Sequence, residues 1–163
     1  MYYPSENIDR QSVSLLFSEQ AKELGIEVEL VGTDWDTIYT KMYSQAVFWQ
    51  QSSQNPYTMI YQQYHSKTAD NSYINPNLYN NSEVDSILHE AVTTTDSVSA
   101  NSLWSKAAYT GDGGFGPSGD APWVWISTFD YVYFVAEDVN ITTERPDNYG
   151  NDLLINIEKW SRN

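Results

Sequence analysis

The sequence predicts an α/β fold, because segments with helical spacing of apolar residues alternate with short segments typical of strands. Residues 26–30 alternate apolar and charged side chains with a period of two, and residues 46–49 form a short apolar run. Helical spacing is clearest over residues 84–92, where apolar residues recur three and four positions apart. The order strand, helix, strand, helix, strand is typical of a mixed, mostly parallel sheet flanked by helices.

The first half of the chain contains two predicted helices between three predicted strands. Residues 2–3 end a strand, and a helix is predicted over residues 8–24, with Gly25 as its stop. Residues 26–30 and 46–49 are the next two strands. Thr33 or Asp34 can cap the second helix. Its apolar residues are Trp35, Ile38, Tyr39, Met42 and Tyr43, and those of the first are Val13, Leu16, Phe17, Ala21 and Leu24.

The second half begins with a polar loop that leads into a helix predicted from residue 56 to about residue 65. After an irregular segment over 66–81, two helices follow, and we expect Ser82 to cap the first with Asp85 reaching back. Glycines exclude regular structure over 110–120, and residues 122–126 and 131–135 are predicted strands. The apolar faces of the two helices are Val84, Ile87, Leu88, Ala91, Val92 and Ala100, Leu103, Trp104, Ala107, Ala108.

Composition limits the function more than it defines it. The chain of 163 residues suits one domain, and its 13 Tyr and 6 Trp can serve either the core or a ligand-binding surface. A formal charge of −14 repels phosphate backbones and anionic lipid headgroups, so neither nucleic acid nor membrane insertion is expected. The absence of cysteine excludes disulfides and thiolate chemistry.

Motifs for catalysis, cofactors or metals are not found. His89 lies beside Glu90, but Thr93 stands where a zinc protease would place its second histidine. Asp34 and Asp36 suit the start of a helix without a catalytic role. No enzyme activity, cofactor or metal is therefore predicted, and a hydrolase that uses buried carboxylates has no supporting motif.

Four stretches, taken in order, carry a resemblance to a known family. They are residues 24–30 (LGIEVEL), residues 79–88 (YNNSEVDSIL), the break at 93–96 (TTTD) ahead of 103–107 (LWSKA), and the pair 120–125 (DAPWVW) and 131–135 (YVYFV). Together they resemble the second lobe of extracytoplasmic substrate-binding proteins of peptide/nickel-type ABC transporters, the solute-binding protein family 5. The third stretch departs from the family because it lacks the small alanine often found at that break.

The resemblance implies one lobe of a type II periplasmic-binding-protein-like fold over residues 1–140. Residues 141–163 would cross back toward a first lobe that this chain does not contain. The implied function is capture of a peptide or similar small solute in a cleft between the lobes, for delivery to an ABC transporter permease. The implied location is extracytoplasmic, with a lipid anchor on the longer protein. Met1 directly before a strand suggests a start placed inside such a protein.

The ligand is expected beyond the carboxyl end of the strand at 46–49, where open α/β sheets bind their ligands. In the family this loop lines the cleft. It has no acidic residue between Asp36 and Asp70, whereas peptide binders usually place one there to pair with an amino terminus. Peptide, sugar and nickel chelate all stay open as ligands. The candidate binding residues are Trp49, Gln50, Gln51, Ser52, Ser53, Gln54, Asn55 and Tyr57.

Two other interpretations of the aromatic residues remain. Trp49 can serve plain core packing, because side chains in a strand alternate between faces. The chain can also be an autonomous carbohydrate-binding module, in which exposed Trp and Tyr stack on sugar rings. Such modules are usually all-β sandwiches, so helix content separates the two functions.

Overall fold

Three short parallel segments form a sheet at the start of the chain. The structure is a computed structural model that describes residues 1–49, 55–69, 73–126, 134–141 and 157–162. Strand β1 (Tyr2–Pro4) pairs in parallel with β2 (Val31–Thr33), and Tyr2 also forms a parallel bridge to Val47. The Tyr2 N–H donates to the Ala46 carbonyl and the Phe48 N–H donates to the Tyr2 carbonyl, both at 2.8 Å. Strand β1 is therefore central, which confirms a mixed α/β fold with a small parallel sheet.

Helix α1 (Ile8–Glu23) is found where it is predicted, but only part of its predicted apolar face is buried. The Asn7 side chain caps its start, and Gly25 ends it with a φ of +77°. Ser14 and Ala21 are its buried residues, whereas Leu16 and Leu24 of the predicted face are 58% and 79% exposed.

The strand predicted at 26–30 is displaced toward the carboxyl terminus. The Gly25 N–H donates to the Lys22 carbonyl and the Ile26 N–H donates to the Ala21 carbonyl, which together form a Schellman cap. The Ser18 hydroxyl also donates to the Val28 carbonyl at 3.2 Å. Because these bonds tie the chain back to α1, pairing with β1 starts only at Val31.

Helix α2 (Trp35–Lys41) confirms the second predicted helix and its cap. The Asp34 carboxylate accepts from the Thr37 N–H at 2.8 Å, and Ile38 and Met42 are buried beneath the helix. The predicted helix at 56–65 is also helical. It consists of a π-helical turn (Tyr57–Tyr61) and the short α3 (Gln62–Tyr64).

Helices α4 (Ser82–Thr93) and α5 (Ser97–Ala108) pack on each other and enclose the main core. The Tyr64 and Phe115 rings stack in this core with centroids 4.0 Å apart and planes 11° apart. Val92, predicted on the buried face, is 42% exposed because it lies at the edge of that face. The buried members of the core are Tyr64, Val84, Ile87, Leu88, Ala91, Trp104, Ala107 and Phe115.

The start of α4 differs from the predicted capping box. Asn81 is the cap, and its side-chain oxygen accepts from the N–H groups of Glu83 and Val84. The amide nitrogen of Asn81 donates to Asp120 at 2.8 Å, which fastens the glycine-rich loop to the helix. Asp85 binds Ser66 instead of reaching back, since Ser66 offers it both an N–H and a hydroxyl.

The predicted strand at 122–126 is wrong, and residues 131–133 of the other lie outside the described residues. Residues 122–126 pair with no strand in the described part of the chain, and Val124 is 78% exposed. Phe134 and Val135 lie outside any strand as well. Farther on, β3 (Val139–Asn140) and β4 (Ser161–Arg162) form a short antiparallel pair.

Replacing Asn81 tests the observed cap of α4. We expect Asn81→Ala to lower the free energy of unfolding by about 1–2 kcal/mol, because an N-cap and a tether to Asp120 are both lost. The matched control Ser82→Ala removes the hydroxyl of the predicted cap and should change stability by less than about 0.5 kcal/mol. Urea unfolding followed by circular dichroism measures both. A larger loss for the Ser82 variant would contradict the observed cap.

Candidate functional site

The carboxyl ends of the three parallel segments meet at one edge of the sheet. Pro4 ends β1, Asp34 follows β2, and Trp49 follows the segment at Val47. The Ser5 N–H donates to the Thr33 carbonyl at 2.9 Å, which holds the first two ends side by side. Because β1 has β2 on one side and the later segment on the other, this edge is the kind of switch point where open α/β sheets bind ligands.

Four aromatic side chains, here called the strand-end cluster, gather at this edge: Trp35, Tyr39, Trp49 and Tyr73. The Trp35 ring lies 5.8 Å from that of Tyr39, and Trp49 meets these two rings edge-on at 5.6 and 6.0 Å. Tyr73 comes from a distant segment and lies 4.1 Å from Tyr39 with planes 33° apart. Helix α2 positions two members because it begins directly at the end of β2.

The cluster lies in acidic surroundings with one guanidinium against it. The Arg10 guanidinium stands over the Trp35 ring at 5.0 Å. Four carboxylates belong to segments that directly follow the ends of β1 and β2, namely Glu6, Asp9, Asp34 and Asp36, and all four residues are exposed. The Thr37 backbone N–H lowers the pKa of Asp34, so that carboxylate stays ionised. The edge therefore carries the negative charge that the loop after Trp49 lacks.

Trp49 takes part in this cluster and keeps an unused donor. Its side chain is partly buried, and its buried indole nitrogen makes no hydrogen bond in the part of the chain that the structure describes. A buried donor without an acceptor costs about 1–3 kcal/mol. Trp49 therefore fits both interpretations. Its ring packs against aromatic neighbours, as in a core, and its N–H has no acceptor among the described residues, as a ligand contact would need.

The other predicted site residues divide between described and undescribed parts of the chain. Gln50, Gln51, Ser52, Ser53 and Gln54 lie outside the described residues. Asn55 is exposed, and its side-chain oxygen accepts from the Tyr57 N–H at 2.9 Å. Tyr57 is 45% exposed and stacks on Tyr61 with centroids 5.0 Å apart, so its ring contact is with a second aromatic pair and not with Trp49.

The two aromatic groups are linked by a short stretch of chain. Trp49 and Asn55 are six residues apart in the chain, so their Cα atoms lie within about 22 Å of each other at full extension. The polar residues between them therefore connect the strand-end cluster to the π-helical turn that carries Tyr57. Turns of this kind are frequent at functional sites.

A serine, an aspartate and a histidine meet below this turn without forming a catalytic triad. His65 Nδ1 accepts from the Lys67 N–H at 3.1 Å and lies 3.3 Å from Asp85 Oδ1. The Ser66 hydroxyl donates to Asp85 and not to the imidazole. A nucleophile needs a hydrogen bond to its base, so this arrangement does not activate Ser66. Its role is to fasten the segment after Tyr64 onto α4.

The described residues contain no group of three or more His, Asp or Glu side chains placed to hold a metal ion. Asp34 caps α2 through its carboxylate and is exposed, whereas a hydrolase of this kind would need buried acids. Among the helices described, none has the length and apolar character needed to cross a membrane.

Comparison with known proteins gives a match to about half of the chain. No protein-family model matches the chain. Over 89 residues, or 54% of its length, the chain is 35% identical to Protein XP55 of Streptomyces lividans. The match spans only 16% of that protein, so the chain accounts for a small part of its relative. The relative's name describes no activity, and a match of this extent assigns no family.

Of the four residues in the strand-end cluster, the sequence patterns predict only Trp49 as a site residue. Trp35 and Tyr39 were placed on the apolar face of a helix, although their position directly after β2 is a usable signal for the ligand-binding edge. Arg10 carries the same signal after β1. Tyr73 has none, because it arrives from a segment more than thirty residues beyond Tyr39.

Titration of His65 makes stability depend on pH. Burial lowers the pKa of His65 below its ordinary 6.5, and Lys67 and His89 add to this, while Asp85 opposes it. The unfolded chain then takes up a proton first as the pH falls. The stabilisation is complete above pH 6.5 and is lost as the pH drops through the lowered pKa.

We therefore expect the free energy of unfolding to decrease as the pH falls below about 6.5, and His65→Gln to reduce that dependence. The matched control His89→Gln, at an exposed position on α4, should keep most of it, because burial is the largest cause of the lowered His65 pKa. Urea unfolding at several pH values measures the slope. An equally steep slope in the His65 variant would contradict the assignment.

Proposed function

We propose that this chain is the ligand-binding lobe of an ABC importer substrate-binding protein, with one lobe of a type II periplasmic-binding-protein-like fold. A peptide or similar small solute would bind between this lobe and a first lobe. The observation that carries the proposal is the central position of β1 between β2 and the Val47 segment. It supports a binding site at the edge that Trp49 occupies.

The chemistry of the edge supports a solute with an apolar ring and polar groups. The strand-end cluster provides aromatic surface, and Asn55 adds an amide whose neighbours in sequence are Gln and Ser. The acids that follow β1 and β2 can attract the amino terminus of a peptide, a role that the loop after Trp49 cannot fill by itself. Peptide is therefore the solute class we favour.

Transport would follow from closure of the two lobes around the solute. Hinge closure sequesters the ligand, and the closed form would dock on a permease. The longer protein would be extracytoplasmic and lipid-anchored. An isolated lobe offers only part of the contacts, so it should bind far more weakly than the pair.

A carbohydrate-binding module is the second function considered. Exposed tyrosines such as Tyr57 favour sugar stacking. Helices α1, α2, α4 and α5 do not fit the all-β sandwich that such modules usually adopt. Sugars are therefore kept as competing ligands in the test.

Calorimetry can test the lobe proposal. Pools of di- to pentapeptides and of oligosaccharides are titrated into this chain and into a longer protein that joins it to a first lobe. We expect no saturable heat from the chain at micromolar concentration, and saturable peptide binding by the longer protein. Tight, specific binding by the isolated chain, or no binding by the longer protein, would count against the proposal.

A variant of Trp49 locates the site within that longer protein. Trp49→Ala should weaken peptide binding about three- to tenfold, because an aromatic contact is worth about 0.5–1.5 kcal/mol. The matched control is Tyr109→Ala, at a position that is 55% exposed and has no described ring contact. If the Trp49 variant and the parent bind peptide with equal affinity, the binding site does not include Trp49.

A further inference from the structure

We propose that Tyr73 fills a ring-binding subsite on Tyr39, and that the aromatic side chain of a ligand takes its place. The role of this subsite in binding a transported solute rests on the proposed function. Its geometry comes from the strand-end cluster alone.

The contact between Tyr73 and Tyr39 is the tightest in that cluster. Its centroid distance of 4.1 Å compares with 5.6 to 6.0 Å for the three contacts among Trp35, Tyr39 and Trp49. Those three rings come from α2 and the adjoining strand end, which the sheet holds in place. Tyr73 comes from another part of the chain and closes the cluster from outside.

Among the described residues, Tyr73 contacts the ring of Tyr39 and the hydroxyl of Tyr43. Its side chain is 42% exposed, and its N–H donates to the Tyr43 hydroxyl at 3.2 Å. Its φ of +69° lies in the left-handed region, which strains a residue with a bulky side chain. Residues with a strained backbone cluster at ligand clamps and switch regions, where the strain is part of the mechanism.

Displacement of Tyr73 would leave a subsite with defined chemistry. Tyr39 would present a ring face beside Trp49, and the buried indole nitrogen of Trp49 has no acceptor among the described residues. A ligand oxygen near the ring could accept that hydrogen bond. Because the present occupant is a phenol ring at aromatic stacking distance, the subsite fits an aromatic side chain, as in a peptide containing Tyr, Phe or Trp.

The probe for this subsite is N-acetyl-tyrosinamide, titrated into the chain while the indole N–H signals are followed by NMR. We expect Tyr73→Ala to bind the probe at least fivefold more tightly than the parent chain, with the largest shift at Trp49. Tyr73→Phe keeps the ring and should match the parent. The control Tyr109→Ala should match the parent as well.

Three results would overturn the proposal. The first is that Tyr73→Ala and the parent bind the probe with equal affinity. The second is that the indole signal of Trp49 does not shift on titration. The third is that maltose binds the same site as tightly as the probe does. Circular dichroism shows whether each variant is folded, and Tyr73→Ser serves as a second variant with the ring removed. Peptide binding by the longer protein is measured separately. If the longer protein binds no peptide but the chain binds the probe as expected, only the proposed transport role fails. If the longer protein binds peptide but the chain does not bind the probe as expected, only the proposed subsite fails.

Discussion

The pairing of β1 with neighbours on both sides is the interaction on which the rest depends. Tyr2 lies opposite Val31, whose N–H donates to the Met1 carbonyl, and on the other side its own N–H and carbonyl bond the chain around Val47. Because all three segments run parallel, three chain ends emerge at one edge. Without this arrangement α2 would not begin beside Trp49, and the aromatic residues would have no common place to meet.

Two kinds of local signal made much of the fold predictable. The bounds of α1 and α2 follow from caps and stops that act within four residues, such as Asp34 and Gly25. The hairpin of α4 and α5 follows from regular apolar spacing. Such features need no knowledge of distant neighbours, so a single sequence reveals them.

The predictions from sequence are wrong where a hydrogen-bond partner that is distant in the chain, or one that competes with the expected partner, determines the local structure. The strand at 26–30 gave way to a Schellman cap, and Asp85 found Ser66 instead of its own helix start. Residues 122–126 have strand-like composition, but no partner strand meets them in the described part of the chain. For the site, Trp49 was predictable from its place after a strand. Tyr73 was not, because only the folded chain brings it to Tyr39.

Asn81 performs two tasks with the two atoms of one amide. Its oxygen starts α4 and its nitrogen holds Asp120, which also accepts from the Tyr79 hydroxyl at 2.6 Å. Asparagine is chemically labile, and slow deamidation at this position would replace the donor by a second carboxylate beside Asp120. The helix would keep an acceptor at its start while the glycine-rich loop was repelled. Ageing of the purified protein would therefore first loosen this loop and leave the helix pair intact.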